Sequence, residues 1–292
     1  MKEQFRTIKF QKKNLNLLEN IKKILEEYEM QEIKVTLRQL YYQLVARDII
    51  PNTIKDYAKL SGLLTSARYG GFVDWRAIED RTRTPNLPNT FEDTQHLIDV
   101  ACRSYQLDRW EGQEYYVELW TEKDAISSVI APITEKYQVA MCVNRGYSSA
   151  SAMYDSFRRL EESKQPKRII LYLGDYDASG LDMIRDIKER LKEFGVEDLE
   201  VIPIALTKEQ IEKYSPPPNP AKITDPRAKW YIQKYGNQSW EVDALRPEVL
   251  QKLIEKSILN YLDLERYEQV KEKEEEDIKE LKEEGGKWIE EF

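Results

Sequence analysis

Apolar residues recur at helical spacing in the first third of the chain, and from about residue 114 short apolar runs alternate with helical stretches. Over residues 14–31, Leu15, Leu18, Ile21, Leu25 and Tyr28 return at helical spacing, with Lys22, Lys23, Glu26 and Glu27 between them, which predicts an amphipathic scaffold helix. Thr36 is suited to cap a second helix over 37–45. At about 100° per residue, Leu37, Leu40, Tyr41, Leu44 and Val45 share its inward stripe. Tyr42 falls about 140° from Leu37 on the same wheel, with Arg38 one turn before it, so Tyr41 is expected to pack and Tyr42 to be presented. Pro51-Asn52 breaks the pattern, and Asn52 or Thr53 can cap a third helix that runs to about Tyr69. Its inward residues are expected to be Ile54, Tyr57, Leu60, Leu64 and Ala67, leaving Lys55, Lys59, Thr65 and Arg68 outside. Gly70-Gly71 then turns into residues 72–75, read as a short strand or wing. Two helices and a wing suggest a winged helix-turn-helix, which serves either as a DNA reader or as a protein-interaction module.

From residue 114 the pattern becomes strand, helix, strand, helix. Strands are expected at 115–120, 138–144, 168–174 and 199–204, with helices at about 123–136, 148–164 and 180–194. Such spacing gives right-handed crossovers and a parallel, Rossmann-like sheet. Between the two parts, Pro85 and Pro88 mark a linker, and Thr90 can cap a connecting helix over 91–105 that holds His96 and Cys102 as ordinary residues. A proline-rich loop over 215–220 and a helix to about Leu262 follow the sheet, with Pro247 near that helix's first position. Residues 265–292 carry 12 acidic and 6 basic side chains and read as a solvated helix or tail. The organisation is therefore a winged-helix domain over 1–85, a linker helix over 86–113, an α/β domain with its elaboration over 114–264, and the charged helix or tail.

Composition narrows the class. The 292 residues are 41% hydrophobic, with 18 Tyr and 6 Trp, enough for a sizeable core. No run of about 18 apolar residues suggests a membrane span, and the first residues lack the apolar stretch of a secretion signal, so a cytoplasmic protein without a membrane partner is expected. Two cysteines and one histidine are too few for a disulfide framework or a zinc site. The net charge of -8 conceals an asymmetry: residues 1–85 hold 16 Lys+Arg against 11 Asp+Glu, and the remainder is strongly acidic. A basic first third on an acidic body suits a protein whose N-terminal domain meets phosphate. Lys55, Lys59, Arg68, Arg76, Arg81 and Arg83 are its candidate nucleic-acid contacts. Arg145, in Asn144-Arg145-Gly146-Tyr147-Ser148-Ser149, is another, although a helix cap by Ser148 or Ser149 accounts for that stretch equally well.

Candidate chemistry gathers at strand ends. Glu122 and Lys123 follow the first strand, and Gly174-Asp175-Tyr176-Asp177 follows the third. Ligands collect outside the carboxyl ends of parallel strands, and magnesium is typically held by one or two carboxylates with water and phosphate oxygens. Glu122, Asp175 and Asp177 are therefore candidate ligands for Mg2+ or Mn2+ if the two strands are neighbours. Glu241 and Asp243 either join as outer ligands or set the turn before the next helix. Tyr belongs to the side chains that act as covalent nucleophiles, and the cation of Arg38 favours phenolate at Tyr42 and would help to hold a phosphate.

Glu122, Gly146, Asp175 and Asp177 in this order resemble the TOPRIM domain of topoisomerases, primases and related nucleases. Preceded by a CAP-like winged helix with Arg38-x-x-Tyr41-Tyr42, the pattern resembles, over about residues 35–260, the A subunit of type IIB topoisomerases (topoisomerase VI) and the meiotic double-strand-break transesterase. The chain looks like the compact stand-alone Topo mini-A form. The resemblance implies Mg2+-dependent cleavage of double-stranded DNA, with Tyr42 as nucleophile leaving a 5′-phosphotyrosyl bond and a free 3′-hydroxyl. Glu122 would serve as general acid/base, and Arg38 or Lys123 would stabilise developing charge. It also implies a homodimer in which the winged helix of one protomer faces the acids of the other. No phosphate-binding Gly-x-x-x-x-Gly-Lys loop is present, so ATP-driven strand passage would need a separate ATPase subunit. Two other readings remain: a hydrolytic TOPRIM nuclease without a covalent intermediate, and a non-catalytic DNA-binding or interaction protein with a vestigial site.

Overall fold

The computed structural model describes residues 2–31, 33–78, 88, 90–144 and 146–290. Arg81, Arg83, Arg145 and most of the proline linker lie outside the described residues.

Four strands, β1 (Tyr115–Thr121), β2 (Ala140–Val143), β3 (Lys167–Leu173) and β4 (Leu199–Ala205), form a parallel sheet in the order β2-β1-β3-β4. Side chains alternate across it with period 2, and each face takes its own cover. Val117, Leu119, Ile169 and Leu171 face α5 (Ser127–Lys136) and α10 (Pro247–Leu259), whose Val129, Ile130, Leu250, Ile254 and Ile258 are buried in the same cluster. Trp120, Ile170 and Tyr172 face α6 (Ala150–Glu162) and α7 (Ala178–Glu193) through Met153, Leu160, Met183, Ile187 and Leu191. Glu118, fully buried on this second face, is matched by the Arg159 guanidinium at 3.0 Å, the Trp120 indole N–H at 2.7 Å and the Tyr116 hydroxyl at 2.9 Å. A buried carboxylate is tolerated because every oxygen finds a donor.

Three N-terminal helices, α1 (Lys12–Glu29), α2 (Leu37–Ala46) and α3 (Ile54–Tyr69), extend the first core. Thr36 and Gln39 form a reciprocal capping box at α2, and Thr53 caps α3. Leu60, Leu64 and Ala67 point inward as expected, but Ile54 does not: it is 91% exposed at the helix start. Residues 72–75 form no strand; the backbone there is held by isolated bridges, Gln4 with Gly70 and Val35 with Ile78.

Beyond the sheet, α8 (Lys208–Tyr214) leads into a two-stranded ribbon, β5 (Asn219–Pro220) with β6 (Gln238–Ser239), that brackets α9 (Ala228–Tyr235). A 3-10 turn at Val242–Ala244 then enters α10. The connecting helix is α4 (Thr94–Ser104), capped by Asp93 rather than Thr90, because the Asp93 carboxylate accepts the His96 N–H at 2.7 Å. The charged segment is a docked helix, α11 (Leu264–Glu290), packed on α4. Its Glu274 is buried, paired with Arg109 at 2.6 Å and accepting the Leu107 N–H at 2.9 Å. Among the described residues no helix is long and apolar enough to cross a membrane.

Candidate active site

Strands β1 and β3 pair in register from Tyr115 with Lys167 to Thr121 with Leu173, so their carboxyl ends are flush. Glu122 and the Asp175-x-Asp177 segment therefore emerge side by side. Glu122 Oε1 accepts the Asp175 N–H at 2.6 Å. Asp177 caps α7, its Oδ1 accepting the Gly180 N–H at 2.8 Å, while its Oδ2 lies 3.5 Å from Lys222 Nζ. A Cβ at position 180 would stand 2.2 Å from the Asp175 carbonyl oxygen, which explains glycine there.

The three-acid cage expected from the sequence does not form: among the described residues, no three His, Cys, Asp or Glu side chains converge as a metal-holding group. Asp175 is turned away, its Oδ1 taking the Val242 N–H and the Lys123 ammonium, both at 2.9 Å. The same ammonium lies 2.8 Å from Glu241 Oε2 and 2.8 Å from Asp243 Oδ1. Burial works against charge on Lys123, but Asp243, Asp175 and Glu241 outweigh it and hold its pKa above the ordinary value. Glu241 and Asp243, left open between turn-setting and ligand roles by the sequence, thus join the site as counter-ions.

Arg38 enters the same cluster from α2. Its guanidinium pairs with Glu241 and, through Nε, with Asp243 Oδ2 at 2.9 Å, and it lies 5.9 Å from the centre of the Tyr42 ring. Tyr42 is not displayed on the surface: it is 4% exposed, covered by the β5 segment, with Asn219 Nδ2 donating to its hydroxyl at 3.3 Å. Tyr41 packs as expected, its hydroxyl donating to Asn52 Oδ1 at 3.0 Å, and Asn52 in turn donates to Asn219 Oδ1 at 2.8 Å. The expected bias of Tyr42 toward phenolate is also reversed. Burial, Glu241 and Asp243 raise its pKa by more than Asn219 and Arg38 lower it.

Glu122 and Asp175 are pushed up from the usual carboxylate range. Burial is the main cause at both; the charge of Asp177 adds at Glu122, and those of Glu122 and Asp243 add at Asp175. Glu241 is moved the other way: Lys123 and Arg38 overcome its burial and hold it down to about 2.

A cleft of about 510 Å³ joins the two parts of the chain, lined by Arg38, Tyr42 and Ile54 on one side and Asp177, Asn219 and Lys222 on the other. It brings Tyr42 and Asp177 of one chain together, where the sequence pointed to the acids of a partner. Asn219 and Lys222, in Asn219-Pro220-Ala221-Lys222, were missed by sequence reasoning; two polar side chains in a proline-rich loop were the available signal.

The candidate DNA contacts divide. Lys55 is exposed, Lys59 is exposed beside Asp56 at 2.9 Å, and Arg76 is exposed. Arg68 is turned inward instead, donating to the Trp75 carbonyl at 2.7 Å and covering the Trp75 ring at 4.7 Å. Ser149, beside Arg145 in sequence, caps α6. No family model matches the chain, and no curated protein matches it in sequence.

Proposed function

We propose that this chain is a DNA-cleaving transesterase of the topoisomerase VI A-subunit type, with a TOPRIM-like sheet and a winged-helix-like N-terminal unit, and that it works with Mg2+ or Mn2+. The observation that carries the reading is that the Tyr42 phenol and the Asp177 carboxylate line one cleft, with Arg38 between the α2 helix and the acidic edge. Nucleophile, cation and acids are the parts that phosphoryl transfer to a side chain requires.

Glu122 and Asp177 fit a hard divalent ion. They follow strands whose carboxyl ends are flush, and Glu122 is half-buried; burial first, and then the charge of Asp177, raises its pKa. Two carboxylates with phosphate and water suffice for such an ion. When bound, it supplies positive charge against the phosphate. The remaining chemistry belongs to the chain. The Tyr42 oxygen bonds to phosphorus, the bond from phosphorus to the 3′-oxygen breaks, and the phenol gives up a proton while the leaving oxygen gains one. Glu122, held at the strand end by the Asp175 N–H, would move that proton. Arg38, 44% exposed with guanidinium N–H groups to spare, faces the charge that develops on phosphate. A double-strand break takes two such chains, so a homodimer belongs to this reading, as does a separate ATPase subunit for strand passage.

The burial of Tyr42 favours one alternative, a hydrolytic nuclease in which water attacks. Incubation with supercoiled plasmid and Mg2+ or Mn2+, stopped with detergent and run with and without protease, separates the two. Protein-linked DNA that disappears in Tyr42→Phe is expected; cleavage that persists in Tyr42→Phe without linked protein selects hydrolysis.

A further inference from the structure

We infer that Phe5, Tyr69 and Trp75 form a stacking site for an unpaired nucleobase, with Arg6 and Arg76 placed for the phosphates beside it. The site needs neither cleavage nor a metal, so it stands apart from the reading above.

The first residues of the chain build the site. The N–H groups of Phe5 and Arg6 both donate to the Tyr69 carbonyl, at 2.9 and 3.0 Å, and Gln4 bridges to Gly70, which pins residues 4–6 against the end of α3. The three rings then stand nearly perpendicular to one another. Their centres are 5.3 Å apart for Tyr69 and Trp75, 5.8 Å for Phe5 and Trp75, and 6.5 Å for Phe5 and Tyr69. A cavity of about 420 Å³ is lined by these rings together with Glu3 and Arg76, a size in the usual range for small-ligand sites. Phe5 is 61% exposed, although burying so large a ring is normally favourable. An aromatic side chain whose backbone is held, yet whose ring is left open to water, suits a flat apolar partner.

Charge decides which partner. The Arg6 guanidinium lies 4.4 Å from the centre of the Tyr69 ring, and that of Arg68 lies 4.7 Å from the centre of the Trp75 ring. Two of the rings thus already carry a cation, so a cationic ligand, which aromatic boxes otherwise favour, would be repelled. Arg6 and Arg76 are exposed, and among the described residues neither is in an ion pair. Glu3 opposes them, while Asp74 is turned to the Arg76 backbone N–H at 2.8 Å. A flat ring that brings a phosphate with it meets both demands. Paired bases inside a duplex are closed off by their neighbours, so the base that enters is an unpaired one. Stacking on aromatic side chains beside cationic groups tolerates any sequence, because every base has a π-face.

The test is fluorescence anisotropy of the full-length chain in EDTA, where cleavage and metal binding play no part. The labelled probes are oligothymidylate, oligouridylate, an abasic oligomer of equal length and a blunt duplex. Oligothymidylate or oligouridylate is expected to bind more tightly than the abasic oligomer, and the tighter of the two identifies DNA or RNA as the source of the base. Phe5→Ala is expected to weaken that binding about tenfold, Phe5→Trp to keep it, and neither to change the affinity for duplex. An abasic oligomer bound as tightly as the oligomers with bases overturns the inference, because phosphate alone would then account for binding. Unchanged affinity in Phe5→Ala, equal losses for single strand and duplex, or no binding of any single strand overturns it as well.

Discussion

Arg38 Nε lies 2.9 Å from Asp243 Oδ2, a carboxylate with no solvent exposure, and this contact joins the N-terminal helices to the edge of the sheet. The pair is one side of a network in which Glu241 and Asp243 each serve both Arg38 and Lys123. Asp243 accepts from the Lys123 ammonium at 2.8 Å, and without it both cations still keep Glu241 while Lys123 also keeps Asp175. Asp243→Ala is therefore expected to destabilise the chain by about 1.5–3 kcal/mol, the worth of a hydrogen bond to a charged group, read as a lower midpoint in urea denaturation. A change within experimental error would show that the network does not tie the two parts together.

Tyr42→Phe separates chemistry from folding. The Tyr42 hydroxyl accepts one long hydrogen bond, 3.3 Å from Asn219 Nδ2, while the ring is buried against Tyr41. Loss of a single neutral hydrogen bond costs about 1 kcal/mol, so Tm is expected to fall by only a few degrees. Protein-linked DNA is expected to vanish altogether. A large loss of stability would mean that the hydroxyl is structural.

The network also sets an acid limit. Glu241 is held down to about 2 against an ordinary 4.5, so the folded chain prefers its ionised form. The stabilisation is fully present above about pH 4.5 and is lost as pH falls through about 2. The difference corresponds to about 3 kcal/mol. Denaturation midpoints measured from pH 6 down to pH 2 should fall less steeply for Glu241→Gln than for the natural chain.

Gly180 tests the strand-end geometry. A methyl group there would meet the Asp175 carbonyl oxygen at 2.2 Å, and that atom is backbone, so the loop itself must move. Overpacking of this kind costs about 1–3 kcal/mol. Gly180→Ala is expected to lower Tm and to weaken Mn2+ binding at least tenfold, because Asp177 caps the helix through this same N–H. Unchanged Mn2+ affinity would remove Asp177 from the ion site.

Much of the fold was legible in the chain because burial has a local period. Short apolar runs marked the strands, period 3.6 marked the helices, and the turn from β3 into α7 put Asp175 and Asp177 at a strand end before any partner was known. Glu122 could be placed beside them once the strands were taken as neighbours. Tyr42 shows the limit. A helical wheel ranks the faces of α2 against each other, but the cover over Tyr42 comes from Asn219, far along the chain, and no local pattern announces it. Ile54 fails in the opposite sense: an apolar residue in the first turn of α3 meets the open cleft instead of the core.

Ionic partners are harder still, because charge carries no period. The sequence by itself determined that acids stand at the ends of β1 and β3, since strand length and the following turn fix where a side chain emerges. Only the tertiary structure decided that Asp175 turns to Lys123, that Glu241 and Asp243 join it, and that Glu274 of α11 is buried against Arg109. Each of those choices depends on which distant segment brings a counter-charge into a place that water has left, and Coulomb attraction strengthens only there.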